Sequence, residues 1–244
     1  MNPAPQPDSL APLLIVAAVR EEARCLLPGT AEAPTTALRV GWPIISINPG
    51  VSVALSGVGR ANAAGATVQA LTLRRYAAVI NIGVAGAIHG GGLSIGDVVM
   101  ATPSVFAEEG IDLPEGPADM NNLAFPLAHE SWCDGNRILP DESLIELFGR
   151  SIGQGVERGA VATVARCSGT DRAAAAVAAQ TSARAEAMEG AAVLLAAHRM
   201  GVHRCAEIRV ISNTCGDRLH QHWDLSAAFN RIDLMLERIV GLVR

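Results

Sequence analysis

Aromatic side chains make up only 3% of this 244-residue chain, which leaves few platforms on which the bases of a single strand could stack. Positive charge is also short. Nineteen Lys and Arg face 24 Asp and Glu, for a formal net charge of −5 and a pI near 5.7. A polyphosphate partner needs a basic footprint, so nucleic acid is not an expected partner. The five cysteines (Cys25, Cys133, Cys167, Cys205 and Cys215) are odd in number, widely spaced and without a Cys-x-x-Cys pair. That pattern speaks against a disulfide framework and for reduced thiols in a cytoplasmic protein. No segment approaches the roughly 18 uncharged apolar residues of a membrane span. The apolar run 13–19 has no basic residue before it and is followed at once by Arg20-Glu21-Glu22, unlike a signal peptide. Residues 1–12, rich in proline, are expected as a disordered leader, and 13–244 as a single domain, within the roughly 250–300 residues one core can serve.

Metal and nucleophile signatures are missing as well. Cys215, His220 and His222 match neither a His-Glu-x-x-His nor a paired-cysteine spacing, so no metal is expected. Ser131-Trp132-Cys133-Asp134 matches no nucleophile elbow. Gly57-x-Gly59, at the end of an expected strand, suggests a dinucleotide turn, which needs an acid about 20 residues later for the ribose. No Asp or Glu occurs between Glu32 and Asp97, and the third glycine is misplaced. The dinucleotide reading fails. Close packing of helix on strand accounts for these glycines, with a small-ligand contact left open.

What is present is an alternation of apolar runs and Ala-rich helical stretches. The continuous run 13–19 reads as a strand buried on both faces, and 23–27 as a first helical turn. Strands are expected at 40–47 and 51–56 around the Asn48-Pro49-Gly50 turn. Further strands are expected at 77–82, 95–101, 159–167 and 205–212. Helices are expected from Arg60 to about Arg75 and at 141–149, 172–180, 189–200 and 225–243. Residues 107–140, polar and interrupted by proline, read as a long irregular loop or lid. Alternating strands and helices in one domain imply an α/β sandwich.

Three places could carry chemistry. Glu22, just past the first strand, could act as a general base on water or be a solvated acid favoured by the helix dipole. Glu189 sits between Met188 and an apolar helix, and a buried carboxylate requires a partner, either ligand hydroxyls or an arginine such as Arg209. Gly83-Val84-Ala85-Gly86 either lets a ligand approach the backbone or forms a tight turn.

The order of these motifs is more telling than any one of them. Ile15-Val16-Ala17-Ala18-Val19-Arg20-Glu21-Glu22, Ser56-Gly57-Val58-Gly59, Asn81-Ile82-Gly83-Val84-Ala85-Gly86, Ile95-Gly96-Asp97-Val98-Val99, Met188-Glu189-Gly190-Ala191-Ala192 and residues 208–213 resemble the nucleoside phosphorylase/nucleosidase superfamily over about 13–242. The nearest branches are the methylthioadenosine/S-adenosylhomocysteine nucleosidases and, closer, the futalosine hydrolases. Phe106-Ala107-Glu108-Glu109-Gly110, Phe125-Pro126-Leu127 and Ser212-Asn213 with Gly216, Arg218 and Trp223 look like the futalosine branch. The resemblance implies a three-layer α/β sandwich, a twisted mixed sheet flanked by helices, with N-glycosidic cleavage at the strand tips. It also implies a homo-oligomer, a small nucleoside as substrate and no cofactor. By the same resemblance Glu22 activates water, Met188 and Glu189 hold the ribose, Val84, Ala85 and Gly86 wall the site, and Ser212 and Asn213 meet the base.

Asn213 departs from the Asp of the adenine-directed nucleosidases. A protonated Asp can donate to N7 while accepting from a 6-amino group. Asn cannot deliver a proton, but its NH₂ offers two donors, which suits the two acceptors, N7 and O6, of hypoxanthine better than adenine. Futalosine carries hypoxanthine, and its benzoate calls for a cation, for which Arg137, Arg172 and Arg218 are candidates. The alternatives are a purine nucleoside phosphorylase, an adenine-directed nucleosidase and a non-catalytic nucleoside binder. A phosphorylase would need basic groups where Glu22 repels phosphate, with Arg20 and Arg60 available, and a binder would need no water-activating acid.

Overall fold

The computed structural model describes residues 10–27 and 41–243. In chain order its elements are β1 (Leu13–Ala17), a 3₁₀ turn (Arg20–Ala23), β2 (Ile44–Asn48), β3 (Val51–Leu55), α1 (Arg60–Leu73), β4 (Ala78–Ala87), β5 (Val98–Phe106), β6 (Ile111–Leu113) and β7 (Gly116–Ala118). There follow β8 (Cys133–Asp134), β9 (Arg137–Ile138), α2 (Glu142–Ile152), β10 (Val156–Thr163), α3 (Asp171–Thr181), β11 (Ala185–Ala187), α4 (Gly190–Arg199), β12 (Cys205–Thr214) and α5 (Leu225–Val240).

The run that forms β1 is apolar at every position because both of its faces are covered. Alternate side chains serve different cores. Leu13, Ile15 and Ala17 pack with Phe148 of α2 and Ile232 and Leu236 of α5. Leu14 and Val16 pack with Ala63 of α1 and Leu194 of α4. Helices therefore lie on both faces of the sheet, giving the expected three layers. Asp141 and Asp224 cap α2 and α5, accepting from the Leu144 and Ala227 amides at 2.9 and 2.8 Å.

The sheet is mixed. β1 pairs parallel with β3 and β4, β4 parallel with β12, and β2 antiparallel with β3. β12 runs antiparallel to β5, β5 parallel to β10, β10 parallel to β11, and β11 antiparallel back to β4. The pairings β4–β12–β5–β10–β11–β4 thus close a ring, as a strongly twisted sheet can.

Several boundaries differ from expectation. β4 does not stop at Ile82 but runs through Gly83-Val84-Ala85-Gly86 to Ala87. Those glycines lie inside a strand, where neighbouring side chains need the room a Cβ would take. Arg20-Glu21-Glu22 is itself a 3₁₀ turn, ahead of the expected helical start. β5 extends to Phe106. Residues 107–140 are not wholly irregular. They hold the β6–β7 hairpin and the β8–β9 pair, and β9 joins the main sheet at β5. Of the leader, Leu10 is buried in the core, and residues 1–9, like Val40, lie outside the described residues. Among the described residues no helix is long and apolar enough to cross a membrane.

Candidate active site

The carboxyl ends of β1, β4 and β12 meet the β11–α4 junction around a cavity of about 260 Å³. Glu22, Val84, Ala85, Gly86, Met188, Glu189, Ser212 and Asn213 all line it, so the eight residues singled out in the sequence come together. Cys167, Glu186 and Trp223, shared with an adjoining cavity of about 330 Å³, connect it toward Ser168, Arg218 and Gln221.

Beneath the cavity floor lies a buried charge cluster. The guanidinium of Arg209, 1% exposed, pairs with Glu207 at 2.8 Å and Glu189 at 3.3 Å and also donates to Asn81. Glu207 in turn accepts from the Ser104 hydroxyl. Backbone glycines make this possible. A Cβ on Gly190 would fall 1.9 Å from the Glu207 carboxylate, and one on Gly83 would fall 2.5 Å from Glu22 Oε1 and 2.6 Å from Arg209 Nη1. Glycine at 83 and 190 is thus the condition for packing charge against the strand.

Glu189 stands at the N-cap position of α4, its side chain turned away from the helix amides. Its Oε1 accepts from the Gly59 amide at 2.9 Å, and its Oε2 from Arg209 and the Met188 amide, both at 3.3 Å. The Gly57-x-Gly59 bend therefore serves Glu189. It frees an amide at the start of α1, where Gly59 has φ +96° and no side chain caps the helix. Glu189 is paired with arginine, one of the two partners expected of it, and also lines the cavity.

Glu22 is 3% exposed. Its Oε2 accepts from the Ala18 and Val19 amides at 2.8 and 3.2 Å, and its Oε1 from the Val84 amide at 3.0 Å. Burial raises its pKa above 4.5; Arg209 opposes that, and the charge on Glu189 adds to it. Three carboxylates (Glu22, Glu189 and Glu207) surround one guanidinium, so a proton on Glu22 is favoured more than on a solvated acid. The solvated reading of Glu22 is excluded. Held in place by three amides, it suits transfer of a proton to and from water in the cavity.

Asn213 sits at a bulge where β12 gains a residue against β4 between Ile211 and Asn213. Such irregularities re-aim a side chain. Its Oδ1 accepts from the Ser212 hydroxyl at 2.9 Å, which fixes the amide orientation, and its Nδ2 donates to the Thr214 carbonyl at 3.0 Å. One of the two expected N–H donors is thus engaged internally, and one remains for the cavity.

Of the three candidate arginines, Arg218 alone lines either cavity, and its guanidinium lies over the Trp223 ring at 4.8 Å from the centroid. Arg137 instead donates to the Thr181 carbonyl, and Arg172 is exposed on the first turn of α3. Arg60 is held by Glu108 and Glu109 at 3.1 and 2.9 Å, and among the described residues no arginine lines the cavity containing Glu22.

Sequence reasoning missed Glu186, Asn81, Ser104 and the pairing of Glu207. Glu186 stands in the three-residue β11, Ala-Glu-Ala, which lacks β-branched residues and gives no strand signal. Asn81 and Glu207 sit in strands whose apolar neighbours mark burial, and a polar or charged residue in such a strand was the available clue. Among the described residues, no cluster of three metal-ligating side chains occurs.

The sequence model of the phosphorylase superfamily matches residues 13–243. A futalosine hydrolase of Acidothermus cellulolyticus is 34% identical over 184 residues, 74% of this chain and 71% of that protein. One of Thermus thermophilus is 32% identical over 186 residues, 76% and 79% of the two chains. Among solved structures, the 5'-methylthioadenosine/S-adenosylhomocysteine nucleosidase of Neisseria meningitidis, in complex with methylthio-immucillin-A, superposes with a TM-score of 0.75. It is 22% identical, over 93% of this chain and 97% of that one. A futalosine hydrolase mutant of Helicobacter pylori also gives 0.75, at 20% identity over 94% and 98%. At these identities the solved structures share the fold. With a match along nearly its whole length and two relatives above 30% identity, the chain belongs to the phosphorylase superfamily.

Proposed function

We propose that this protein hydrolyses the N-glycosidic bond of futalosine, releasing hypoxanthine and dehypoxanthine futalosine, in the futalosine route to menaquinone. The observation that carries the reading is the convergence of Glu22, Glu189 and Asn213 on one cavity in a chain whose relatives are futalosine hydrolases. Glu189 accepts hydrogen bonds from the ribose hydroxyls, beside Met188, while Val84, Ala85 and Gly86 form the wall. As the C1′–N9 bond lengthens, the sugar becomes cation-like and charge builds on the purine. The free N–H of Asn213 stabilises that charge. Glu22 orients a water toward C1′ and takes its proton as the C1′–O bond forms. Asn213 has no proton to give, so hypoxanthine leaves as an anion and is protonated by water. The presence of Glu22 in the lining of the cavity supports water over phosphate as the nucleophile, since a carboxylate repels phosphate.

The protein acts in the cytoplasm, in keeping with five unpaired cysteines, and as a homo-oligomer. Val19, Val58, Trp223 and Leu225 line the cavity and are exposed, an apolar rim suited to cover by a second copy. Reaction in ¹⁸O-labelled water tests the chemistry. One labelled oxygen in the sugar product is expected, and a sugar phosphate formed in phosphate buffer would instead mean phosphorolysis.

A further inference from the structure

We propose that Glu207 is a positioning residue for the hydrolysis. By engaging Arg209 it keeps that guanidinium from closing a full ion pair on Glu22 and Glu189. One acid is thereby left free to work on water and the other on the sugar. This assignment rests on the nucleosidase reading above and deepens it.

Positions 207 and 209 share a face of β12, opposite Asn81 and Gly83 of β4. Because Gly83 has no side chain, the Arg209 guanidinium can lie across it. A Cβ there would fall within 2.6 Å of both Arg209 Nη1 and Glu22 Oε1, so the arginine and the base stand side by side over that glycine. Glu207 is fully buried and lines neither cavity. Its carboxylate fills the space that Gly190 leaves open at the start of α4. It therefore acts on the reaction through Arg209.

The N–H groups of Arg209 are shared out unequally. Nε donates to Glu207 Oε1 at 2.8 Å, the usual length of a charge-assisted bond, whereas Nη1 donates to Glu189 Oε2 at 3.3 Å. Nη2 donates to Asn81 Oδ1, and Asn81 is itself fixed by donating from Nδ2 to the Val16 carbonyl at 2.9 Å. A two-point fork on a carboxylate needs N–H groups from two nitrogens. With Nε and Nη2 engaged, Nη1 alone is left for the side on which Glu189 and Glu22 lie. The Ser104 hydroxyl donates to Glu207 Oε2 and completes the hold.

A buried ion pair adds little to stability once desolvation is counted, so stability alone does not account for a carboxylate at 207. Its effect on the site is electrostatic. Arg209 and Glu189 face Glu22 from β12 and from the start of α4, and act on its proton affinity in opposite directions. β1 and β4 bring no titratable group to it. Asp233 of α5, the helix packed against the same turn, is taken by Arg24 at 2.8 Å. On the turn itself Glu21 is exposed and Arg20 half-buried. The negative charge of Glu207 offsets the pull of Arg209 and keeps Glu22 the stronger base.

The test is the acid limb of the kcat/KM profile for futalosine, read in the native protein, Glu207→Gln and Ser104→Ala. Glutamine keeps an oxygen for Arg209 Nε and removes the charge. Glu22 then feels more of the guanidinium. The limb is expected to move to lower pH by at least about half a unit, with a lower kcat from the weaker base. Ser104→Ala removes the hydroxyl that shares Glu207, leaves more of its charge to Arg209, and is expected to move the limb the other way. A purely structural role would lower the amount of folded protein or the rate without moving the limb. An unmoved limb in folded Glu207→Gln overturns the assignment. Should Glu207→Gln fail to fold, Ser104→Ala decides, and an unmoved limb there overturns it as well. In both cases futalosine hydrolysis by the native protein leaves the proposed function standing, whereas a native protein that releases no hypoxanthine from futalosine overturns both.

Discussion

Glu22 and Asn213 differ in what they can do with a proton, and their surroundings set the difference. Burial raises the pKa of Glu22 above 4.5 against the pull of Arg209. The base form is the ionised one, so kcat/KM should fall as pH drops through that raised value. A pH profile checks this, and an acid limb at or below 4.5 would remove Glu22 from the role. The same shift has a stability sign. A raised folded pKa contributes stability fully below pH 4.5, and that contribution is lost as pH rises through the folded value. Glu22→Gln should lower kcat by about 10²–10⁴-fold while substrate binding, read by calorimetry, stays within about tenfold. At Asn213 the prediction concerns the base. Asn213→Asp should lower futalosine turnover by about 10²-fold or more and raise the relative rate on aminodeoxyfutalosine, read as kcat/KM for the two substrates. The eight residues that line the cavity were legible because each lies in a short motif in or just after the carboxyl end of a strand. Glu186 was not, since one acid in an alanine-rich stretch carries no local signal. The engagement of one Asn213 N–H by Thr214 was equally hidden, being a property of the bulge.

At the scale of elements, the site depends on β4 and β12 meeting without side chains in between. Gly83 gives Glu22 and Arg209 their room, and Gly190 does so for Glu207. Gly190→Ala should destabilise the fold by about 1–3 kcal/mol, the usual cost of overpacking. Arg209→Met removes the cation paired with Glu189 and Glu207 and should cost about 3–5 kcal/mol. Urea unfolding measures both, and an unchanged midpoint for Arg209→Met would mean that the cluster contributes nothing to stability. The sequence marked β1, β12 and α5 clearly, through unbroken apolar runs and helical periodicity. It misplaced the end of β4 because a glycine pair reads as a turn when the side chains crossing it come from residues about 60 and 130 positions away, Glu22 and Asn213. The β6–β7 hairpin escaped notice because its strands are only three residues long and largely exposed.

At the scale of the molecule, three layers and a sheet that closes on itself bring distant segments to one cavity. Glu22 comes from just after β1, Glu189 from the start of α4 and Asn213 from the end of β12. The layers followed from alternating strand and helix patterns, whereas the ring closure did not, because it depends on long-range pairings of β11 and β12 that no local pattern encodes. Light scattering should show an assembly larger than one chain, and a monomer at working concentration would contradict the homo-oligomer. The most direct test of the central claim is base release from futalosine, with and without phosphate, beside inosine, methylthioadenosine and aminodeoxyfutalosine. The account predicts phosphate-independent release of hypoxanthine from futalosine in preference to the other three. Phosphate-dependent turnover of inosine, or preferential release of adenine, would contradict it.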